Sequence, residues 1–298
     1  MVVIPRALTF LSLAFVLVSC GPPEPLEPAR YSGSDALAQT IVKNIASSPN
    51  LELVMEIDHS RLGYEVESAL PPTRVIMFSD PQLETALVSV NPLIGIDLPM
   101  RVLAYDTEQG HDSRVVANTF EYLESRYQLE AESVRSQKQL YQQNLEMAVS
   151  GLADSALTSF ADTDMQPDGI TTIPSPYDFS ETVRRVNQAI DSQDDAVQFG
   201  VVDFQAQAAA IGVQIAPAYL ILFGAPGPGA KAMSGAQTLG LDGFCQKFLV
   251  WQDESGQVFL SYNDLLALAE RQNVSKSLAL RIVDFRLNRT FNKALEAD

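Results

Sequence analysis

Hydrophobic and polar positions along the chain change period several times, and the same series of periods occurs twice. Stretches spaced for one face of a helix alternate with short, nearly continuous apolar runs that are typical of strands. The runs at 74–78 and 219–223 are apolar almost throughout, which predicts central strands. In the first half, the predicted elements are helices near 37–45, 61–70 and 83–90 and strands at 51–57, 74–78, 101–106 and 114–116. In the second half, they are helices near 183–190, 205–215 and 230–238 and strands at 197–202, 219–223, 247–252 and 258–261. Each half closes with a further helix, which Asn118 would cap in the first half and Asp264 in the second.

The two halves are copies of one another. At about a hundred residues, each copy is long enough to bury a core of its own. Helices beside strand hairpins predict an α+β fold: two tandem copies of a two-layer module, a sheet with helices packed on it, joined by a long helical connector. One inserted residue in the second copy lengthens the repeat interval from 145 to 146. Residues matched at the first interval are Asp58 and Asp203, Pro72 and Pro217, Phe78 and Phe223, Gly95 and Gly240, and Asp97 and Asp242, and those matched at the second are Arg101 and Lys247, and Tyr105 and Trp251.

Each copy is followed by a further amphipathic segment. Residues 130–160 are strongly helical in character and lead into a loop at 162–178 that is rich in Asp and Pro. Residues 275–295, like residues 130–160, carry an apolar stripe at helical spacing. We expect the helices formed by these two segments to dock on the modules. A basic amphipathic helix can also lie on a membrane or bind a partner. The basic residues of the second segment are Lys276, Arg281, Arg286, Arg289 and Lys293.

The N-terminal residues predict targeting. Arg6 precedes an apolar run at 7–18 that is too short to cross a membrane. Cys20 follows the run after one residue, and this arrangement resembles a bacterial lipoprotein signal, in which the cysteine is lipidated and begins the mature chain. The alternative is an ordinary secretory signal. Gly21 in place of an aspartate favours the outer membrane facing the periplasm, and the prolines that follow predict a stiff tether.

These patterns divide the chain into six predicted regions. They are a lipoprotein signal peptide at 1–19, a proline-rich tether at 20–33, a first module at 34–128, a helical connector and loop at 129–178, a second module at 179–274 and a C-terminal amphipathic helix at 275–298.

The net charge and the cysteine content limit the classes of molecule that the protein is expected to bind. The net charge of −17 argues against nucleic acid, and against anionic lipid as a partner of the surface as a whole. Cys245 is the only cysteine besides Cys20, so no disulfide can form within the lipidated chain. The remaining partners are the membrane, through the lipid anchor, and an envelope protein or small-molecule ligand.

Several short motifs carry a family resemblance. Ile57-Asp58-His59, the strand 72–78, the segment 95–103, the turn 223–229 and the segment 261–264 resemble domain-of-unknown-function family 302. The resemblance implies a small α/β module and no established activity. The first copy keeps Asp58-His59 but lacks the glycine turn, and the second keeps the turn but has Phe204 in place of the histidine. A site that needs both features is therefore divided between the copies or lost.

The glycine turn is the first candidate site. Gly224, Gly227 and Gly229 follow an apolar strand, and Lys231 would stand in the first turn of the next helix. Backbone N–H groups and a cation at a helix start can bind an anion, and the alternative is a structural turn.

The second candidate is a polar group near the start of the first copy. Asp58 and His59 with Asp97 could perform acid–base chemistry, or they could serve as a helix cap and a turn. His59 and Cys245 are further candidates for metal ligands, although neither has the spacing of a metal motif. Cys245 could also be a redox-active thiol or a small buried apolar residue.

The sequence favours binding over catalysis. It contains no Gly-x-Ser-x-Gly, Cys-x-x-Cys or dinucleotide-binding fingerprint, and no cofactor is implied. We expect a membrane-anchored periplasmic lipoprotein whose modules bind a ligand or a protein. The alternatives are a hydrolytic or redox enzyme that uses Asp58, His59 and Asp97, with or without Cys245, and a protein that sequesters an anion or a metal.

Overall fold

A computed structural model describes residues 28–107, 112–160 and 169–296. These residues form two sheets, each of five strands with helices packed on it, which confirms the predicted α+β class and the tandem modules. Cys20, the signal peptide and residues 20–27 of the predicted tether lie outside the described residues. The prediction of a tether is wrong for 28–33, because these residues begin the first helix.

The first module has the sheet order β1-β2-β3-β4-β5, in which β5 alone runs parallel to its neighbour. Its fifth helix comes from the segment predicted as a connector. This helix packs on the first and third helices of the module and therefore belongs to it. The prediction that 130–160 is strongly helical is correct only for its first part, since the helix ends at Ala148 and a short strand follows. The elements are α1 (Pro28–Ser47), β1 (Glu52–Asp58), α2 (His59–Glu65), β2 (Thr73–Ser79), α3 (Pro81–Val90), a 3-10 helix (Pro92–Asp97), β3 (Met100–Asp106), β4 (Ser113–Ala117), α4 (Phe120–Tyr127), α5 (Arg135–Ala148), a 3-10 turn (Asp154–Ala156) and β5 (Leu157–Thr158).

The second module has the order β6-β10-β9-β8-β7, so its last four strands repeat β1 to β4 of the first. Its edge strand β6 comes from the predicted loop, and α10 confirms the predicted C-terminal helix. The elements are β6 (Ile170–Pro174), α6 (Phe179–Asp191), β7 (Val197–Asp203), α7 (Phe204–Ala210), β8 (Ala218–Gly224), α8 (Pro226–Met233), a 3-10 helix (Gln237–Gly240), β9 (Gln246–Gln252), β10 (Val258–Asn263), α9 (Leu265–Arg271) and α10 (Leu278–Ala294).

The two modules pack against each other through the second face of their sheets. On β8, Ile221 and Phe223 join the apolar core of the second module, whereas Leu220 and Leu222 join the core cluster of the first. Both faces of this strand are therefore buried, which explains why its sequence is apolar almost throughout. The core cluster of the first module therefore extends into the second module.

The contact between the modules has an approximate two-fold symmetry. Helix α2 packs on α8, and the equivalent pair α7 and α3 packs in the same way. A Cβ added at Gly95 would lie 3.0 Å from Phe204 and Leu249, and one at Gly240 would lie 3.2 Å from His59 and Leu103. Each repeated glycine thus allows the other module to approach closely, which is the geometry of an isologous dimer within one chain.

Candidate functional site

A small cavity at the contact between α2 and α8 joins the two halves of the divided motif. His59 of the first copy and Gly224, Gly229 and Cys245 of the second line the same space, whose volume is about 20 Å³. This volume is close to that of one water molecule. The residues of the divided motif therefore line one space, which is too small for an organic substrate.

The polar groups of this cavity are uncharged at neutral pH. Burial lowers the pKa of His59 to about 4, against a smaller opposing effect of the Gly240 backbone. Burial also raises the pKa of the Cys245 thiol to about 12. The Nε2 atom of His59 is buried and has no hydrogen-bond partner among the described residues. A neutral imidazole beside a protonated thiol gives neither a reactive thiolate nor an activated base.

The symmetry-related position carries different chemistry. Phe204 replaces the histidine, and Glu84 stands at the repeat position of Gly229, where the second copy has no side chain. Glu84 is fully buried, and the Ser79 hydroxyl donates a hydrogen bond of 2.7 Å to its carboxyl group. Burial raises the pKa of Glu84 to about 8, so the group is mostly protonated at neutral pH.

A buried cluster of charges lies at the centre of the module contact, and Asp242 is its main acceptor. Arg101 of the first module donates to Asp242 Oδ1 at 2.7 Å, and Asn118 Nδ2 donates to the same oxygen at 2.9 Å. Arg271 and Gln272 reach Oδ2 at 3.3 Å. Burial opposes ionisation, but the charges of Arg101 and Arg271 outweigh it and lower the pKa of Asp242.

Asp97, the repeat partner of Asp242, accepts from its own module. Arg101 and Arg126 donate to its two oxygens at 2.9 and 2.8 Å, and the Tyr127 hydroxyl donates at 2.7 Å. Arg126 also reaches across the contact to Asn263 Oδ1 at 2.6 Å. Arg101 therefore bridges both aspartates, and the two modules share one hydrogen-bonded network.

Lys247 completes the cluster at the repeat position of Arg101. Its ammonium group donates to the backbone oxygen of Asp242 at 2.7 Å, and the side chain is almost fully buried. Burial lowers the pKa of Lys247 to about 7, and the charge of Arg101 acts in the same direction. Three arginines and this lysine face two aspartates, so basic side chains outnumber carboxylates within this cluster.

A larger groove opens at the edge of the same contact. The C-terminal end of α3 forms one wall through Val88 and Val90, and Pro92 follows it. The loop that leads to β8 and the β9–β10 hairpin form the other wall, through Ile215 and Trp251. The groove has a volume of about 340 Å³, which lies within the range of small-molecule sites.

A family model matches most of the chain and identifies its family. The family model described as "Domain of unknown function DUF302" matches residues 31–149 and 171–294. The chain belongs to the DUF302 family. The matched ranges include α5 in the first DUF302 module and α10 in the second, beyond the module ends predicted at 128 and 274.

Curated relatives of the DUF302 protein are similar over part of their length. The fluoride-specific ion channel FluC 1 of Brucella suis biovar 1 (strain 1330) is 37% identical over 109 residues, covering 37% of this chain and 42% of the relative. The protein of the same name from Brucella abortus biovar 1 (strain 9-941) is 37% identical over 109 residues, covering 37% of this chain and 40% of the relative. The chain thus spans about two fifths of the length of these relatives. No helix within 28–107, 112–160 or 169–296 is long and apolar enough to span a membrane.

A solved DUF302 structure is also similar. The crystal structure of an uncharacterized conserved DUF302 protein from Bacillus stearothermophilus is 15% identical. The similarity covers 43% of this chain and 96% of that chain, with a TM-score of 0.36.

The predicted anion site does not have the expected geometry. Helix α8 begins at Pro226, so Gly227 and Gly229 lie inside it and Lys231 stands exposed in its last turn. The Gly229 N–H already donates to the Ala225 carbonyl at 2.8 Å. The placement of Lys231 in the first turn is wrong because proline at the first helical position starts the helix five residues earlier.

The predicted acid–base group is not assembled. Asp58 caps α2 by accepting from the Arg61 N–H at 2.9 Å, and its second oxygen accepts from Arg61 and from Arg74, the latter at 3.0 Å. Asp97 belongs to the charge cluster, whereas His59 faces the small cavity. The described residues hold no group of three or more histidine, cysteine, aspartate or glutamate side chains placed for a metal ion.

Sequence reasoning missed the charge cluster, although a signal for it exists. Arg101 and Lys247 are basic residues at the same repeat position, each directly before a run of apolar strand residues and a few residues after a repeated aspartate. The predicted cap at Asn118 is also wrong: Thr119 caps α4, and Asn118 instead bonds Asp242 and Arg271 across the contact.

The buried carboxyl of Glu84 predicts a pH-dependent stability. Its folded pKa of about 8 exceeds the ordinary value of 4.5, so its contribution is full below about pH 4.5 and is lost as the pH rises through about 8. We expect Glu84→Gln to remove a slope of up to about 1.4 kcal/mol per pH unit in this window. Urea unfolding of both proteins at about pH 5 and about pH 8 measures this difference, and equal slopes would contradict it.

Proposed function

We propose that this DUF302 protein is an envelope lipoprotein whose paired modules bind a small organic ligand without transforming it. The observation that carries the proposal is the groove of about 340 Å³ between α3 and the β9–β10 hairpin. Its walls combine Val88, Val90 and Ile215 with the ring of Trp251, which suits a ligand with an apolar or aromatic body. Asp253 and Glu254 at one end favour a ligand that carries a positive charge.

The two alternative functions find less support in the geometry. An enzyme that uses Asp58, His59 and Asp97 would need these groups around one substrate, yet they bond to separate networks. Sequestration of an anion at the glycine turn would need Lys231 beside free amide groups at the helix start. Neither arrangement occurs, whereas the groove needs no rearrangement to admit a ligand.

The membrane anchor rests on Cys20 and the apolar run before it. Acylation there would hold the protein at the outer membrane, facing the periplasm, through a short tether that ends where α1 begins. Mass spectrometry of the protein from a membrane fraction tests this part separately. A mature chain that begins at an acylated Cys20 supports the anchor, and an unmodified chain that begins at Met1 overturns it.

Trp251 makes the groove directly testable because it is the only tryptophan of the chain. We expect small cationic aromatic compounds to change its fluorescence in a saturable way. Val90→Phe, which adds bulk to a half-exposed wall position, should weaken the affinity by about tenfold. Val66→Phe is the matched control, since Val66 is similarly exposed and does not line the groove. Equal affinities in the two variants would place the ligand elsewhere and overturn the proposal.

A further inference from the structure

Helix α10 carries apolar residues on two opposite faces. Its inner face, with Leu280, Val283 and Leu287, is buried against the second module. Its outer face carries Leu278, Ile282 and Phe285, which are 75%, 51% and 62% exposed. Among the residues that the structure describes, these are the three most exposed large apolar side chains, and their spacing places them in one row along the helix.

The same outer face is basic. Helical spacing places Arg281, Arg289 and Lys293 beside the apolar row, and all three are exposed. Asp284, the one acidic residue within α10, points to another side and accepts from the Leu265 N–H. A basic and apolar surface thus stands on a chain whose net charge is −17.

The first module shows that the fold does not need this face. Val134 and Tyr141 are buried at the repeat positions of Leu280 and Leu287, so α5 and α10 align with an interval of 146. At three of the outer positions α5 has uncharged polar side chains instead. They are Ser136 for Ile282, Gln139 for Phe285 and Gln143 for Arg289.

We propose that the outer face of α10 is a docking surface for an anionic phospholipid membrane. Exposed leucine, isoleucine and phenylalanine side chains can enter the boundary between headgroups and acyl chains, while arginine and lysine bind the phosphates. A second copy of this acidic protein would bring two basic faces together and is the less favourable occupant. The docking surface does not depend on acylation of Cys20. Together with the proposed lipid anchor, it would provide a second membrane-binding element, which stable attachment requires.

The experiment uses the chain from residue 20 onward with Cys20→Ser, so that no acyl chain contributes. We expect it to co-float with phosphatidylglycerol-containing vesicles at low salt and much less with phosphatidylcholine vesicles. Raising the salt from about 0.05 M to about 0.5 M should weaken the binding several-fold, because the Debye length shortens. Absence of binding to the anionic vesicles would overturn the docking surface and would leave the lipid anchor unaffected.

Variants copied from α5 locate the surface. Ile282→Ser with Phe285→Gln should lower the vesicle partition coefficient by about tenfold or more, and Arg289→Gln by about fivefold. Val66→Ser with Met147→Ser is the matched control, because both residues are about half exposed and lie elsewhere. Circular dichroism and Trp251 fluorescence confirm that each variant is folded. Equal losses in the control, or a dimer in sedimentation that the α5-derived pair abolishes, would overturn the proposal.

Discussion

Replacing Asp242 with asparagine is expected to lower the free energy of unfolding by about 3–5 kcal/mol, the largest effect of any single substitution considered for this protein. The carboxylate neutralises Arg101 and Arg271 in a fully buried position. Asparagine keeps the shape but removes the charge, so Arg271 loses its carboxylate partner and Arg101 retains only Asp97 as a counter-ion. The loss should appear as a lower midpoint of urea unfolding with an unchanged slope.

A surface pair provides the control for this substitution. Asp195 and Arg286 form an ion pair of 2.8 Å, close in length to the Arg101–Asp242 pair, but both side chains are more than a third exposed. Water screens such a pair, so Asp195→Asn should change the free energy of unfolding by less than about 1 kcal/mol. If the two substitutions have equal effects, the buried network does not hold the modules together.

Gly63→Ala is expected to destabilise the protein by about 2–3 kcal/mol because it separates α2 from α8. A Cβ at this position would lie 2.6 Å from the Ser68 carbonyl oxygen and 2.7 Å from the Ala230 Cβ. Neither atom belongs to a flexible side chain, so the helices themselves must move apart. Thermal unfolding followed by circular dichroism measures the loss.

The partner helix offers a matched substitution with the opposite sign. Gly227 lies in α8, and a Cβ there would lie 3.6 Å from Val66, which is an ordinary contact. Gly227→Ala should therefore stabilise the protein by up to about 1 kcal/mol through helix propensity. If Gly63→Ala also stabilises the protein, helix propensity outweighs the close packing inferred for the module contact.

The sequence predicts the interior of each module well because its signals are local. The apolar run of β8 and the caps at Asp58 and Asp264 depend on neighbours within a few residues, and the structure confirms all three. Edge strands are harder, since β5 and β6 are short and gain their order from distant partners. A stretch such as Leu157–Thr158 has no period long enough to recognise.

The candidate site could be predicted only in part. The division of the histidine and the glycine turn between copies was visible, but nothing in either motif indicated that they meet in one cavity. The role of Asp242 requires Arg101 from the other module, which lies 141 residues away in sequence. The groove beside Trp251 arises only from the angle at which the modules pack, and no residue pattern encodes that angle.

The approximate two-fold contact has a consequence for how the molecule behaves in the cell. Two separate modules with this self-complementary face would assemble only above a certain concentration, and they would come apart on dilution. Because one polypeptide carries both halves, each copy meets its partner at a high effective concentration that does not depend on expression level. The pairing of the two modules is therefore complete at any concentration of the protein.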